Sequence, residues 1–263
     1  MDRKKPYTGK SPKQKRGQEI RKPSTSVLVR LNKFIASSGI CSRRDADELI
    51  RKGEITVNGK VAEDLGIKIH PSDDIRFRGR RLTAEKKVYI LMNKPKDYVT
   101  TVEDSHADKT VLDLIGDKCK VRVFPVGRLD KSTTGVLLLT NDGDLAGRLT
   151  HPRYNRKKIY HVFLDRDVTK NDMGRLTSGL DLDGEIVAAD QVSYVEQDDR
   201  SQVGIEIHSG QNRIVRRMFE KLGYKVKKLD RVYFAGLTKR NLPRGKWRFL
   251  SEKEINMLKR SSF

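Results

Sequence analysis

The run GVLLLT, Gly135 to Thr140, is apolar on consecutive residues and so reads as a strand buried in a sheet. A loop feeding such a strand is rigidly anchored and can hold a side chain in a cleft. That loop is GRLDKSTT, Gly127 to Thr134, and its single carboxylate, Asp130, stands between Arg128 and Lys131. A solvated loop tolerates an acid anywhere. A carboxylate flanked by cations and seated beside a buried strand can instead be held ionised for chemistry.

The surrounding sequence says what kind of sheet this is. From Val88 to about Leu250 the chain offers short β-type runs, among them VYILMNKP, VRVFPV, KIYHVFL, VGIEIH and KLDRVYFAGL. Helical patterns appear only at DGDLAGRLT and NRIVRRMFEKLGY. Strands that do not alternate regularly with helices predict an α+β domain on a mainly antiparallel mixed sheet over 88–250. Residues 251–263 are expected as a short terminal helix or tail, and RLTAEKK (81–87) as a polar linker.

Residues 27–80 look like a separate small module. Leu31, Phe34 and Ile35 have helical spacing, and Gly39 can end that helix. Ser42 with Asp45 makes a capping box for a second helix, whose apolar face is Ala46, Leu49 and Ile50. EITVNGKVA then reads as a hairpin turning on Asn58-Gly59. A phosphate loop is excluded, because five residues separate Gly53 from Gly59 and neither Ser nor Thr follows Lys60. The outward residues Arg43, Arg44, Arg51, Lys52 and Lys60 form a basic face suited to phosphates. The stretch RLNKFIASSGICSRRDADELIRKGEITVNGKVA resembles the alpha-L, or S-four-like, RNA-binding module.

Charge points the same way. Lys and Arg number 56 against 35 Asp and Glu, a net charge of +21. Such self-repulsion is relieved by a polyanion, and nucleic acid fits best. Up to Arg30 the chain has ten basic and two acidic residues, so 1–26 is expected to be a disordered basic tail. No apolar run approaches the ~20 residues that span a bilayer, and no apolar signal core follows the basic start. Two distant cysteines, Cys41 and Cys119, fit a reducing cytoplasm and give no cysteine-built zinc site. His70, His106, His151, His161 and His208 show no metal-ligand spacing.

Two further stretches carry chemistry. HSGQNRIVRRM places Arg213, Arg216 and Arg217 at a loop-to-helix junction. Either they form an RNA-facing helix, or one guanidinium reaches inward to a carboxylate, with which Arg makes planar bidentate pairs. In RKKIYHVFL, Tyr160 is either a half-buried sheet tyrosine or an aromatic on which a base that has left its stack can lie.

Together these motifs resemble the pseudouridine synthases, specifically the ribosomal RNA branch of RsuA/RluB type with an N-terminal alpha-L module. The resemblance rests on GRLDKSTTGVLLLTNDG, with NKPKDYVTT before it and HPRYNRKKIY, NRIVRRM and RVYFAGL after it, and covers roughly 27–250. It implies a nucleophile at Asp130, a base-stacking aromatic at Tyr160, and an arginine at Arg216 that pairs with Asp130 and lowers its pKa. Arg128, Arg213 and Arg217 are then expected on RNA. The family usually reads Gly-Arg-Asn-Arg-Gln-Val-Arg-Arg-Met where this chain has GQNRIVRRM, so Gln211 and Ile214 depart from it. The expected activity is cofactor-free, metal-free isomerisation of uridine in ribosomal RNA, 23S before 16S. The expected partner is ribosomal RNA or a precursor particle, and the enzyme is expected to be a cytoplasmic monomer. A non-catalytic ribosome-assembly factor would need the basic module but not Asp130, Tyr160 and Arg216 together.

Overall fold

The structure is a computed structural model that describes Met1 and residues 28–101 and 109–260. The segment expected as a disordered tail, 1–26, lies outside the described residues apart from Met1. No helix among the described residues is long and apolar enough to cross a membrane.

The N-terminal module begins with β1 (Val29–Arg30), α1 (Leu31–Ser37) and α2 (Arg43–Arg51). The Ser42 hydroxyl accepts from the Asp45 amide at 3.2 Å, and the Ser42 amide donates to the Asp45 carboxylate at 3.0 Å. This reciprocal pair satisfies two of the donors a helix start leaves orphaned. Next come β2 (Ile55–Val57), β3 (Lys60–Val61), β4 (Lys68–Ile69), β5 (Ile75–Phe77) and β6 (Arg80–Arg81). Strands β3-β2-β5-β6 form an antiparallel sheet, and β1 pairs with β4.

The β2–β3 turn has φ of 50° at Asn58 and 82° at Gly59, as a type I′ turn needs. A second left-handed pair, Arg78 (48°) and Gly79 (79°), joins β5 to β6. The sequence reading missed this hairpin because Arg has no intrinsic preference for positive φ. As a result Arg81 falls on a strand, not in a linker, and Leu82 packs into the module's core with Leu31, Ile35, Ile50 and Ile75. The module thus buries side chains two residues past the expected boundary at 80.

The larger unit is a nine-stranded mixed sheet. Its strands are β7 (Tyr89–Lys94), β8 (Phe124–Pro125), β9 (Thr133–Thr140), β10 (Lys158–Leu164), β13 (Gln191–Tyr194), β14 (Gln202–Ile207), β15 (Val226–Phe234), β16 (Leu237–Thr238) and β17 (Trp247–Phe249). A separate hairpin holds β11 (Leu180–Leu182) and β12 (Glu185–Val187). The order is β13-β14-β10-β15-β9-β7-β17, with β8 and β16 on the margins of β9 and β15. The β9–β15 pairing is parallel and the others in this sheet are antiparallel.

Every residue of β9 is buried, as its consecutive apolar residues required. Leu137 and Leu139 join one core, with Leu176 of α4 (Lys170–Ser178) and Met218 and Phe219 of α5 (Ile214–Lys221). Val136 and Leu138 join another, with Leu145 and Leu149 of α3 (Gly143–Thr150) and Leu258 of α6 (Glu252–Arg260). Burying each such leucine stabilises the fold by ~1.5–3 kcal/mol. That anchorage on both faces is what fixes the loop before β9.

Gly135 is where β9 meets both neighbours, pairing with Lys94 on β7 and with Arg231 on β15. Its φ is +108°, and a Cβ there would lie 2.1 Å from the Arg231 carbonyl oxygen, so only glycine fits. Beside it the Asp230 carboxylate receives a bidentate fork from Arg244 at 3.0 and 3.1 Å, the Lys239 ammonium, and the Thr134 hydroxyl at 3.0 Å. Burial opposes its ionisation, but the Arg244 and Lys239 bonds and charges prevail and hold the carboxyl down at about 2. Arg244 also donates to the Asn93 side-chain oxygen at 3.0 Å and the Lys94 carbonyl at 3.4 Å, so these ends of β7, β9 and β15 are tied together.

Candidate active site

A cleft of about 440 Å³ opens at the end of β9, with Arg128, Asp130, Lys158, Tyr160, Arg213 and Arg231 in its walls. That volume is within the range of small-ligand sites. The Asp130 loop is held from below by Lys94, whose side chain is fully buried. Its ammonium donates to the carbonyls of Thr133 at 2.8 Å, Asp130 and Pro95 at 3.1 Å, and Lys131 at 3.3 Å. Burial pushes the Lys94 ammonium down to about 8, while the Asp130 charge acts in the opposite direction. From the side, the Thr100 hydroxyl donates to the Leu129 carbonyl at 2.9 Å and accepts from the Leu129 amide at 3.1 Å. Neither Lys94 nor Thr100 was singled out in the sequence. The signal for Lys94 was a lysine closing the mostly apolar strand VYILMNK.

The Asp130 side chain is 34% exposed and faces the cleft. Behind it lies Arg216, its side chain 8% exposed, with Nε 3.8 Å from the carboxylate. The guanidinium is fixed by Nη1 on the Val226 carbonyl and Nη2 on the Ser132 hydroxyl, both at 3.1 Å. Its buried Nε has no hydrogen-bond partner and is the atom nearest Asp130. Burial and the neighbouring Arg213 lower the Arg216 pKa, and Asp130 opposes this. The arrangement is a fixed cation set to receive the carboxylate by a small side-chain rotation.

Arg213 stands at the start of α5 with a left-handed φ of 51° and brings Nη1 to 3.9 Å from the same carboxylate. The family resemblance put Arg213 on RNA, while the residues themselves left open which of the three arginines reaches a carboxylate. The second partner of Arg213 is Glu220, at 3.4 Å. Arg217 points elsewhere, to Asp183 at 2.7 Å. Tyr160, 8% exposed, sits on β10 directly across from Arg231 of β15. Arg128 is exposed at the rim. Arg43, Arg44, Arg51, Lys52 and Lys60 are all exposed on the N-terminal module, none of them lines the cleft, and Arg51 pairs with Glu48. The structure thus brings Asp130, Tyr160, Arg213 and Arg216 together and leaves Arg217 outside. A carboxylate in a cleft, backed by a buried guanidinium and sharing the cleft with an aromatic, can act as nucleophile or base on a flat ligand.

Comparison with known proteins places this geometry. The RNA pseudouridylate synthase family matches residues 88–221, and the S4 domain family matches 29–75. The chain is 39% identical over 235 residues to ribosomal large subunit pseudouridine synthase B of Bacillus subtilis (strain 168), covering 88% of this chain and 96% of that one. An uncharacterized RNA pseudouridine synthase of Aquifex aeolicus (strain VF5) is 38% identical, over 88% and 93% of the two chains. A pseudouridylate synthase crystal structure superposes with a TM-score of 0.63 at 31% identity, covering 88% of this chain and 99% of that one. The matched span holds the β9 loop, β10 and the start of α5, so the chain with this cleft belongs to the RNA pseudouridine synthase family, with an S4 domain at its N-terminal side.

Proposed function

We propose that the cleft converts a uridine of large-subunit ribosomal RNA to pseudouridine, with Asp130 as the reacting carboxylate, Tyr160 stacking on the flipped base and Arg216 pairing with Asp130 and orienting it. The observation that carries this is the Asp130–Arg216 approach at the mouth of the cleft. In the reaction the C1′–N1 bond breaks, the uracil turns, C1′ bonds to C5, the C5 proton leaves and N1 gains one. Atoms and oxidation state are conserved, so a positioned carboxylate in a sheltered cleft meets the chemical need. Flipping the base out costs a few kcal/mol, which phosphate contacts can offset. The large-subunit choice is supported by the name of the Bacillus subtilis relative. Pseudouridine mapping of total ribosomal RNA with and without the gene tests it. Loss of a large-subunit site is expected. Loss confined to the small subunit would move the target, and no loss would overturn the reading.

The basic face of the N-terminal module, Arg43, Arg44, Arg51, Lys52 and Lys60, serves RNA affinity in this proposal. Replacing all five by serine should flatten the logarithmic salt dependence of RNA binding by roughly 0.7–0.9 per lost phosphate contact. Turnover at saturating RNA should change far less, because none of these residues lines the cleft. Binding titrations at several salt concentrations check this, and an unchanged slope would remove the face from the interface.

A further inference from the structure

Arg231 is the cleft residue for which the roles above leave no use. It is 2% exposed, yet it lines the cleft beside Tyr160. Its Nε donates to the Val136 carbonyl at 2.8 Å, and its guanidinium lies over the Phe234 ring, 4.7 Å from the centroid. These two contacts fix the orientation of the group. Its Nη2 has no hydrogen-bond partner. Buried guanidinium donors are costly to leave unpaired, so an unpaired one in a cleft wall implies an acceptor brought by the ligand. The neighbouring cation, Lys158, is already committed: its ammonium donates to the carbonyls of His208 at 2.7 Å, Arg156 at 3.0 Å and Ser209 at 3.2 Å. An ammonium has three donors, and all three are used.

Arg231 is the cross-strand partner of Tyr160. A uracil stacked on the Tyr160 ring therefore turns one edge toward the Arg231 strand. Uracil carries two carbonyl acceptors, O2 and O4. When the C1′–N1 bond breaks, its electron pair departs on the uracil and spreads onto those two oxygens. We propose that Arg231 is a further catalytic residue: its Nη2 donates to a uracil carbonyl oxygen and stabilises the negative charge that oxygen gains as the glycosidic bond breaks. A fixed donor aimed at developing charge in a sheltered site acts more strongly on the transition state than on the bound substrate. This inference rests on the proposed placement of the base against Tyr160 and Asp130.

The test uses the full chain and a ribosomal RNA fragment containing a uridine that the wild-type enzyme isomerises. Single-turnover rates and RNA dissociation constants are measured for wild type, Arg231→Lys and Arg231→Met, on fragments with uridine, 2-thiouridine or 4-thiouridine at the target. Sulfur is a weak acceptor, so wild type should slow on one of the two thio substrates. Arg231→Met should lower the single-turnover rate on uridine by about 10²–10³-fold with affinity within about threefold, as for loss of one oxyanion donor. Arg231→Lys should recover part of the rate, and the thio sensitivity should collapse in the Met variant. A wild-type enzyme indifferent to both sulfurs, a Met variant as thio-sensitive as wild type, or near-wild-type rates would each overturn the proposal. Failure of both variants to fold, judged by circular dichroism, would assign Arg231 to the core and also overturn it. Asp130→Asn is run in parallel. If that variant stays active, the reading of the cleft itself fails; if it is inactive while Arg231 proves dispensable, only this inference fails.

Discussion

Asp130→Asn should abolish pseudouridine formation, by about 10⁴-fold or more, while RNA affinity stays within about threefold of wild type. The amide matches the carboxylate in shape but is neither nucleophile nor base. The backbone of the loop is held by Lys94 and Thr100, not by the Asp130 side chain, so the substitution leaves the loop in place. The proposed RNA-binding surface, the basic face of the N-terminal module, is unchanged. Single-turnover assays with enzyme in excess separate the two quantities. Activity within tenfold of wild type would remove Asp130 from the chemistry.

The second large effect is expected at Arg216, with Arg217 as its internal control. Breaking a fully buried ion pair costs ~3–5 kcal/mol. Asp130 is about one-third exposed, so water recovers part of this. The remaining ~2–3 kcal/mol corresponds to a rate loss of about 30–150-fold for Arg216→Ala. Ser132 and the Val226 carbonyl lose a partner too, so Arg216→Lys, which keeps the charge but not the fork, should fall between wild type and the alanine variant. Arg217→Ala breaks its pair with Asp183, whose side chain is 90% exposed, and a long 3.5 Å bond to the Leu182 carbonyl. A surface pair of that kind contributes ~0–1 kcal/mol, and the rate should stay within about threefold. Equal, modest losses in both alanine variants would show that neither arginine serves Asp130.

What the sequence made legible was mostly local. The Ser42–Asp45 box, the Asn58–Gly59 turn and the buried strand at Gly135–Thr140 each depend on residues within a few positions of one another. Their chemistry is written in residue type and spacing, and the structure shows them as read. The Asp130 loop was legible for the same reason, since a polar loop feeding an apolar strand is a local pattern. The parts that were not legible arise from pairing across long separations. Thr134 and Asp230 meet although 96 residues apart, because β9 and β15 run parallel. That pairing leaves Gly135 no room for a side chain, and the β10–β15 pairing sets Arg231 beside Tyr160. Lys94 was hidden because a lysine at a strand end normally reads as solvated, whereas here four carbonyls from the strand end and the next loop replace its water. Arg78-Gly79 was hidden because Arg gives no local sign of a left-handed turn. Arg213 was one of three arginines any of which could reach a carboxylate, and the left-handed start of α5 brings it to Asp130.

The most direct measurement is pseudouridine formation by the purified protein on unmodified transcripts of large- and small-subunit ribosomal RNA, mapped by carbodiimide-dependent reverse-transcription stops. Wild type should produce a discrete stop on the large-subunit transcript and none on the small-subunit one, and Asp130→Asn should produce none on either. Pseudouridine made by the Asp130→Asn protein at the wild-type position would contradict the assignment of the chemistry to this cleft.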